Sequence, residues 1–188
     1  MSSRQQILER IRAVRQNEQK LPDELPKRML PLEELRERFI VSCSITGTGV
    51  HVLSSMEEAT FLFMQKAGSC SFYIGPGLPG NNSIEDPVRT DYAILKGEFG
   101  VAENNAVWLK ESSMGDRVIP FASLHLYLLV SEDDLVADMH EAYHKDLIFQ
   151  EGFGVFIAGP SKTADIEQSL VIGAHGPLSL DILLITNH

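Results

Sequence analysis

The sequence predicts an α/β fold: a mixed, mainly parallel sheet flanked by helices, preceded by an N-terminal helical arm. Two observations predict it. Strand-length apolar runs such as Leu124–Val130 and Val155–Ala158 read as strands buried on both faces. Stretches with a helical apolar period stand between the strand-like runs, the alternation expected of a parallel sheet with crossover helices. Size agrees, because 188 residues with 44% hydrophobic and 22% charged suit one globular core.

The elements follow in order. Residues 4–19 read as an amphipathic helix with Ile7, Leu8, Ile11 and Val14 on one face. Pro22, Pro26 and Pro31 make residues 21–31 a semi-extended connector, since each proline blocks a continuing helix. The expected domains are therefore 1–31, an arm and linker, and 32–188, the α/β domain. Leu32–Arg38 is expected as a short helix and Phe39–Ile45 as the first strand. Ser55 and Glu58 fit a capping box opening a helix that buries Met56, Ala59, Phe63 and Ala67 and stops at Gly68. Short strands are expected at 71–74, 92–95, 99–102 and 106–109, with a turn-rich loop over 75–87. Ser131 and Asp134 suggest a cap for a helix burying Leu135, Met139, Ala142 and Tyr143. After the strand Val155–Ala158, a helix is expected from Ser161, then a last strand at Ile182–Thr186.

Charge and cysteine content exclude several functions. Sixteen Lys and Arg against 26 Asp and Glu leave −10, which repels nucleic acid and anionic membranes at long range. Two cysteines, Cys43 and Cys70, cannot supply the four thiolates of an iron–sulfur cluster or an all-Cys zinc site. The N-terminus lacks a signal-like apolar stretch, and no apolar run approaches the ~18 residues of a membrane span. A cytoplasmic protein with reduced thiols is expected.

Three motif matches carry little. Gly75-Pro76-Gly77-Leu78-Pro79-Gly80 has the letters of a dinucleotide fingerprint, but no amphipathic helix begins there to face a pyrophosphate, so it reads as a turn. Gly154 and Gly159 have Walker A spacing, but the residues between them are strand-like and Pro160 stands where Lys should. His140-Glu141-Ala142-Tyr143-His144 matches the zinc-hydrolase helix motif, with Glu141 as general base. Its histidines lie beside the apolar arc and no third ligand is marked. A solvated helix face is favoured over zinc, and no metal is expected.

The C-terminal stretch is more informative. Gly159-Pro160-Ser161-Lys162-Thr163-Ala164-Asp165-Ile166-Glu167 places hydroxyls and a lysine after a strand, where an anion would find donors from Ser161, Lys162, Thr163 and helix amides. Ser161 as a plain helix cap and Lys162 as plain surface explain the same residues. Gly173-Ala174-His175-Gly176-Pro177 then sets His175 in a glycine turn, positioned for acid, base or oxyanion work.

These two motifs, closed by an apolar strand, resemble the LutC/YkgG family of lactate-utilisation proteins, which carry the LUD domain. The resemblance covers about residues 40–188. It implies a NagB/RpiA/CoA-transferase-like fold and a part in oxidising L-lactate to pyruvate together with separate iron–sulfur proteins. No cofactor is expected in this chain, and iron–sulfur clusters are expected on the partners. Relatives commonly carry an Ala-Glu-Thr-Gly-Thr-like turn in mid-chain. Here Val101-Ala102-Glu103-Asn104-Asn105-Ala106 keeps Glu103 but lacks the glycine and the second threonine.

The resulting expectation is a component of an L-lactate utilisation system, with its enzymatic status open. Ser161, Lys162, Thr163 and Gly176 would bind a small carboxylate or phosphate, and Glu103, Asp165 and His175 would supply the polar chemistry. The site is expected at the carboxyl ends of the strands, where open α/β sheets bind ligands. Rival readings are a non-catalytic docking subunit, an enzyme acting on a sugar phosphate or acyl-CoA, and a zinc hydrolase using His140–His144. Homo-oligomerisation remains open.

Overall fold

The computed structural model describes residues 3–13, 30–82, 90–164, 170–172 and 176–186. Its helices are α1 Ser3–Ala13, α2 Leu32–Thr46, α3 Met56–Ala67, α4 Glu111–Met114, α5 Ile119–Ala122 and α6 Met139–Tyr143. The strands are β1 Gly49–Leu53, β2 Phe72–Ile74, β3 Tyr92–Lys96, β4 Phe99–Val101, β5 Val107–Lys110, β6 His125–Ser131, β7 Leu135–Val136, β8 Gly154–Ile157, β9 Lys162–Ala164, β10 Leu170–Ile172 and β11 Ser179–Ile185.

Five strands form a wholly parallel sheet in the order β1-β11-β6-β3-β2. At its centre β6 is buried on both faces, as its apolar run implies. Leu126, Leu128 and Val130 point into one core layer, and Tyr127 and Leu129 into the other. Helix α3 covers the second layer with Ala59, Phe63 and Ala67. Ser55 caps it by accepting from the Glu58 amide at 3.1 Å, while the Glu58 carboxylate accepts from the backbone and hydroxyl of Ser54, each at 2.8 Å.

Helix α2 and a smaller sheet, β7-β4-β5-β8, cover the first layer. In that sheet β4 pairs antiparallel with β5 and parallel with β7, and β5 pairs antiparallel with β8. The last two strands, β9 and β10, form an antiparallel pair.

Four expectations need correction. The expected strand Phe39–Ile45 is the second half of α2. Its β-branched residues favour a strand locally, but Leu35, Phe39 and Cys43 recur every fourth residue and all three are buried, so packing decides for helix. Gly47 ends that helix in the left-handed conformation, φ +80°, with its amide on the Cys43 and Ser44 carbonyls.

The helix expected after Ser131 is a single 3-10 turn at Glu132–Asp134 followed by β7. Leu135 and Val136 are adjacent and both buried, which suits a strand between two layers. The helix proper begins later, with Asp138 as its cap. Strand β8 is half-buried along its length and belongs to the small sheet. Where a helix was expected from Ser161, Lys162–Ala164 is a strand. Of the expected arm, residues 3–13 are helical; residues 14–29 lie outside those described.

Candidate functional site

Two clefts hold Glu103, and Ser161, Lys162 and Gly176, among the residues that the sequence singles out. The first, about 490 Å³, is lined by Glu37, Arg38, Val41 and Ser42 of α2, by Ala102 and Glu103 after β4, and by Ala137, Asp138 and His140. Ser42 fastens the helix to the hairpin, its hydroxyl donating to the Ala102 carbonyl at 2.7 Å. The Glu103 carboxylate accepts from the Met139 amide at 3.2 Å, and the Asp138 carboxylate from the Glu141 amide at 2.9 Å. Both carboxylates thus sit where the free amides of α6 favour negative charge.

The same geometry bears on the zinc reading. The Glu141 carboxylate accepts from the Ala137 amide at 2.8 Å, closing a reciprocal cap with Asp138. The proposed general base is therefore committed to the backbone. Helix α6 has five residues, so His144 stands at its end as the C-cap. The motif letters arise from a capping device.

The second cleft, about 300 Å³, holds Ser161, Lys162 and Gly176 together with Pro120, Phe121 and Pro177. The two sequence motifs do meet here. The Ser161 amide donates to the Pro177 carbonyl at 2.9 Å, and a Cβ added to Gly176 would lie 3.1 Å from the Ser161 Cβ. Thr163 lies in β9, paired with Val171. Asp165 and His175 lie outside the described residues.

The position of this cleft corrects the expected end of the sheet. The Leu178 amide donates to the Leu124 carbonyl, immediately before β6, and β11 starts at Ser179. Ser161, Lys162 and Gly176 therefore sit at the amino-terminal edge of the parallel strands. The rule placing ligands at carboxyl ends rests on helix-connected strands. Here the Ser161 turn follows β8, a strand of the small sheet, and the Gly176 turn precedes β11, so neither follows a strand of the parallel sheet.

Sequence reasoning missed the residues that link the two clefts. The Lys162 ammonium donates to the Thr46 carbonyl, at the negative end of α2. The Thr46 and Thr48 hydroxyls pair at 2.8 Å, and Asn105 Nδ2 donates to the Thr48 hydroxyl at 3.2 Å. Asn105 is fully buried at φ +52°, and its Oδ1 has no partner among the described residues. Burial pushes the neighbouring Cys43 thiol up to about 12, against the lowering effect of its hydrogen bond with Asn105. The Glu103 turn and the Lys162 turn thus grip one junction, Thr46–Thr48, from two sides. The signal in the sequence was Thr46-Gly47-Thr48-Gly49 beside Asn104-Asn105, since asparagine is the non-glycine residue most tolerant of a left-handed turn.

Among the described residues no helix is long and apolar enough to cross a membrane. The class defined by this structure is an α/β domain whose parallel sheet carries a small accessory sheet across α2. The model of the LUD domain matches residues 81–185. Lactate utilization protein C of Anoxybacillus flavithermus is 30% identical over 164 residues, covering 82% of this chain and 71% of that protein. Lactate utilization protein C of Shouchella clausii is 33% identical over 108 residues, 55% of this chain and 47% of that protein. The latter match thus spans about half the relative's length. A crystal structure of a DUF162 family protein from Deinococcus radiodurans superposes with a TM-score of 0.66 at 16% identity, covering 84% of this chain and 99% of that one, which fixes the fold. The chain belongs to the LUD-domain family and, within it, to the LutC-type lactate-utilisation proteins.

Proposed function

We propose that this chain serves L-lactate utilisation as a component acting beside separate iron–sulfur proteins that oxidise L-lactate to pyruvate. The observation that carries this reading is its 30% identity over 164 residues to a protein named lactate utilization protein C. Its two cysteines favour clusters on partners, because four thiolates would be needed here. The chain would hold a small carboxylate or phosphate at the Ser161–Lys162 and Gly176 turns. Lys162 has three donors, so an ammonium bound to the Thr46 carbonyl retains hydrogens for an anion. Asp165, Thr163 and His175 complete that site in this reading, with Glu103 acting from the far side of the Thr46–Thr48 junction.

A second reading, a docking subunit, is favoured by apolar exposure at the same edge. Phe121 lines the cleft, and Leu124 and Leu178, joined through their backbones, are likewise exposed.

Two experiments test the reading. In a strain lacking its own lactate utilization protein C, this chain should restore growth on L-lactate as carbon source; failure despite soluble expression removes the system-level assignment. Calorimetry with lactate, pyruvate, a sugar phosphate and CoA tests the anion site. Lys162→Ala should weaken the ligand that binds by about 1–3 kcal/mol, the loss of one charge-assisted hydrogen bond. Absence of binding by all four, with growth restored, would favour docking.

A further inference from the structure

Asn105 combines three costs at one position. It is the only non-glycine residue with a positive φ among the described residues, at +52°. It is fully buried, and its Oδ1 has no partner among the described residues. Glycine in its place would relieve the backbone and remove the orphaned oxygen. What glycine would lose is the side-chain amide, so the use of this residue lies in what that amide touches.

The amide opens a directed chain of hydrogen bonds. The Thr46 hydroxyl donates to the Cys43 carbonyl at 2.9 Å, which commits its one hydrogen. The Thr48 hydroxyl, 2.8 Å away, therefore donates to Thr46. In turn it accepts from Asn105 Nδ2 at 3.2 Å. Each hydroxyl accepts once and donates once, all in one direction, so each bond polarises the next. The Asn105 side chain also hydrogen-bonds with the Cys43 thiol, which holds it from a second side.

Thr46 is the residue on which the second cleft rests. Its carbonyl accepts from the Lys162 ammonium. A Cβ added to Gly159, which lines that cleft, would lie 3.1 Å from the Thr46 Cβ. With its hydroxyl held on both sides, Thr46 is confined to one rotamer and the last turn of α2 is kept from fraying, so the carbonyl keeps one direction.

We propose that Asn105 is a positioning residue: acting through Thr48 and Thr46, it fixes the carbonyl that anchors Lys162 and so aims the ammonium into the second cleft. This rests on the anion reading given above for that cleft. Asn105 stands two residues after Glu103, so the Glu103 turn reaches the anion cleft through this side chain.

Nitrogen-15 NMR of the lysine ammonium groups in the full chain tests this, with the Lys162 signal assigned by its loss in Lys162→Arg. An ammonium held by a carbonyl should exchange its hydrogens slowly. Asn105→Gly, which suits the backbone, and Thr48→Val, which keeps the shape, should each speed that exchange by about tenfold. Thr48→Ser, which keeps the hydroxyl, should behave as the wild type. The Lys110 ammonium, paired with Glu98 at 3.0 Å at the open end of the same hairpin, should not change in any of them. In calorimetry with L-lactate and with inorganic phosphate, an anion that binds the wild type should bind Asn105→Gly and Thr48→Val about tenfold more weakly, and Thr48→Ser normally. Wild-type Lys162 exchanging as fast as free lysine overturns the proposal. So do unchanged exchange or unchanged anion affinity in both variants, a Thr48→Ser chain that behaves as Thr48→Val, or acceleration shared by Lys110, which marks general loosening. If neither anion binds the wild type while Lys162 responds as expected, the anion reading falls and the positioning of Lys162 by Asn105 is upheld.

Discussion

The parallel sheet and the small β7-β4-β5-β8 sheet are built from similar residues but are held differently. In β6 every residue from Leu126 to Val130 is buried, with neighbours on both faces. In β8 every residue is half-buried, and Phe156 packs mainly on aromatic rings, 4.6 Å from Trp108 and 5.9 Å from Phe99. The parallel sheet has a core layer on each face, one of them shared with α2 and with Val107, Leu109 and Leu135 of the small sheet. The small sheet is a cover, and its inner face is completed by α2. Stability should therefore be concentrated in the first, with the second opening at lower cost.

The largest test is a pair of truncations. Leu128→Ala removes a fully buried side chain from β6 and should cost about 2–5 kcal/mol in chemical denaturation. Phe156→Ala, at a half-buried position, should cost roughly 1–2 kcal/mol, about half a full transfer value. Equal costs would erase the distinction between the two sheets.

A smaller effect is expected where the cover meets α2. A Cβ on Gly100 of β4 would lie 2.8 Å from Leu135 Cδ2 and 3.0 Å from Phe39 Cε2. Phe39 is fully buried, so its ring has little room to yield. Gly100→Ala should destabilise by about 1–3 kcal/mol through overpacking. An unchanged melting temperature would show that the cover shifts freely over α2. Smaller again, Asp138→Ala removes the cap of α6 and should cost about 1 kcal/mol. That loss should appear as faster amide exchange at Glu141, whose N–H the carboxylate accepts.

What could be read from the sequence does not follow this division: β4, β5 and β8 of the cover were expected as strands, and β1 of the parallel sheet was not. Strands β2, β3 and β6 and helix α3 were legible because apolar period, caps and terminators agree locally. The misreadings, in α2, β7 and β9, fall where local pattern and tertiary pairing disagree. Phe39–Ile45 has strand composition but a helical burial period. Leu135–Val136 continued an apparent helix, yet the two residues pair with β4. Lys162–Ala164 followed a plausible helix cap, yet pairs with β10. In the candidate site, the meeting of the Ser161 and Gly176 turns was legible as two motifs framing one fold segment. The separation of Glu103 into its own cleft was not. It depends on α2 lying between them, and α2 was read as half strand. The Thr46–Thr48–Asn105 link escaped for the same reason, since it joins elements through an end of α2 that composition alone does not reveal.

The finest probe of the two-sheet picture uses the cysteines, which report without altering packing. Cys43, on the buried face of α2, lies in the core shared with Val107 and Leu109 of the cover, whereas Cys70 is exposed. At pH 8 an alkylating reagent should modify Cys70 promptly and Cys43 only when the structure opens. In a Cys70→Ser chain, the rate at Cys43 therefore measures opening between the sheets. If the cover lifts alone, that rate should exceed global unfolding and should fall little when the parallel sheet is stabilised; if the molecule opens only as a whole, the two rates coincide and the comparison fails. The pH dependence has a definite sign. Burial raises the Cys43 thiol from 9.0 to about 12, so the folded state holds its proton more tightly than the unfolded state does. Its contribution to stability is complete below the ordinary thiol value and declines as pH climbs through 9.0 towards about 12. Cys43→Ser should remove that alkaline decline, and a decline that persists unchanged would assign it to another group.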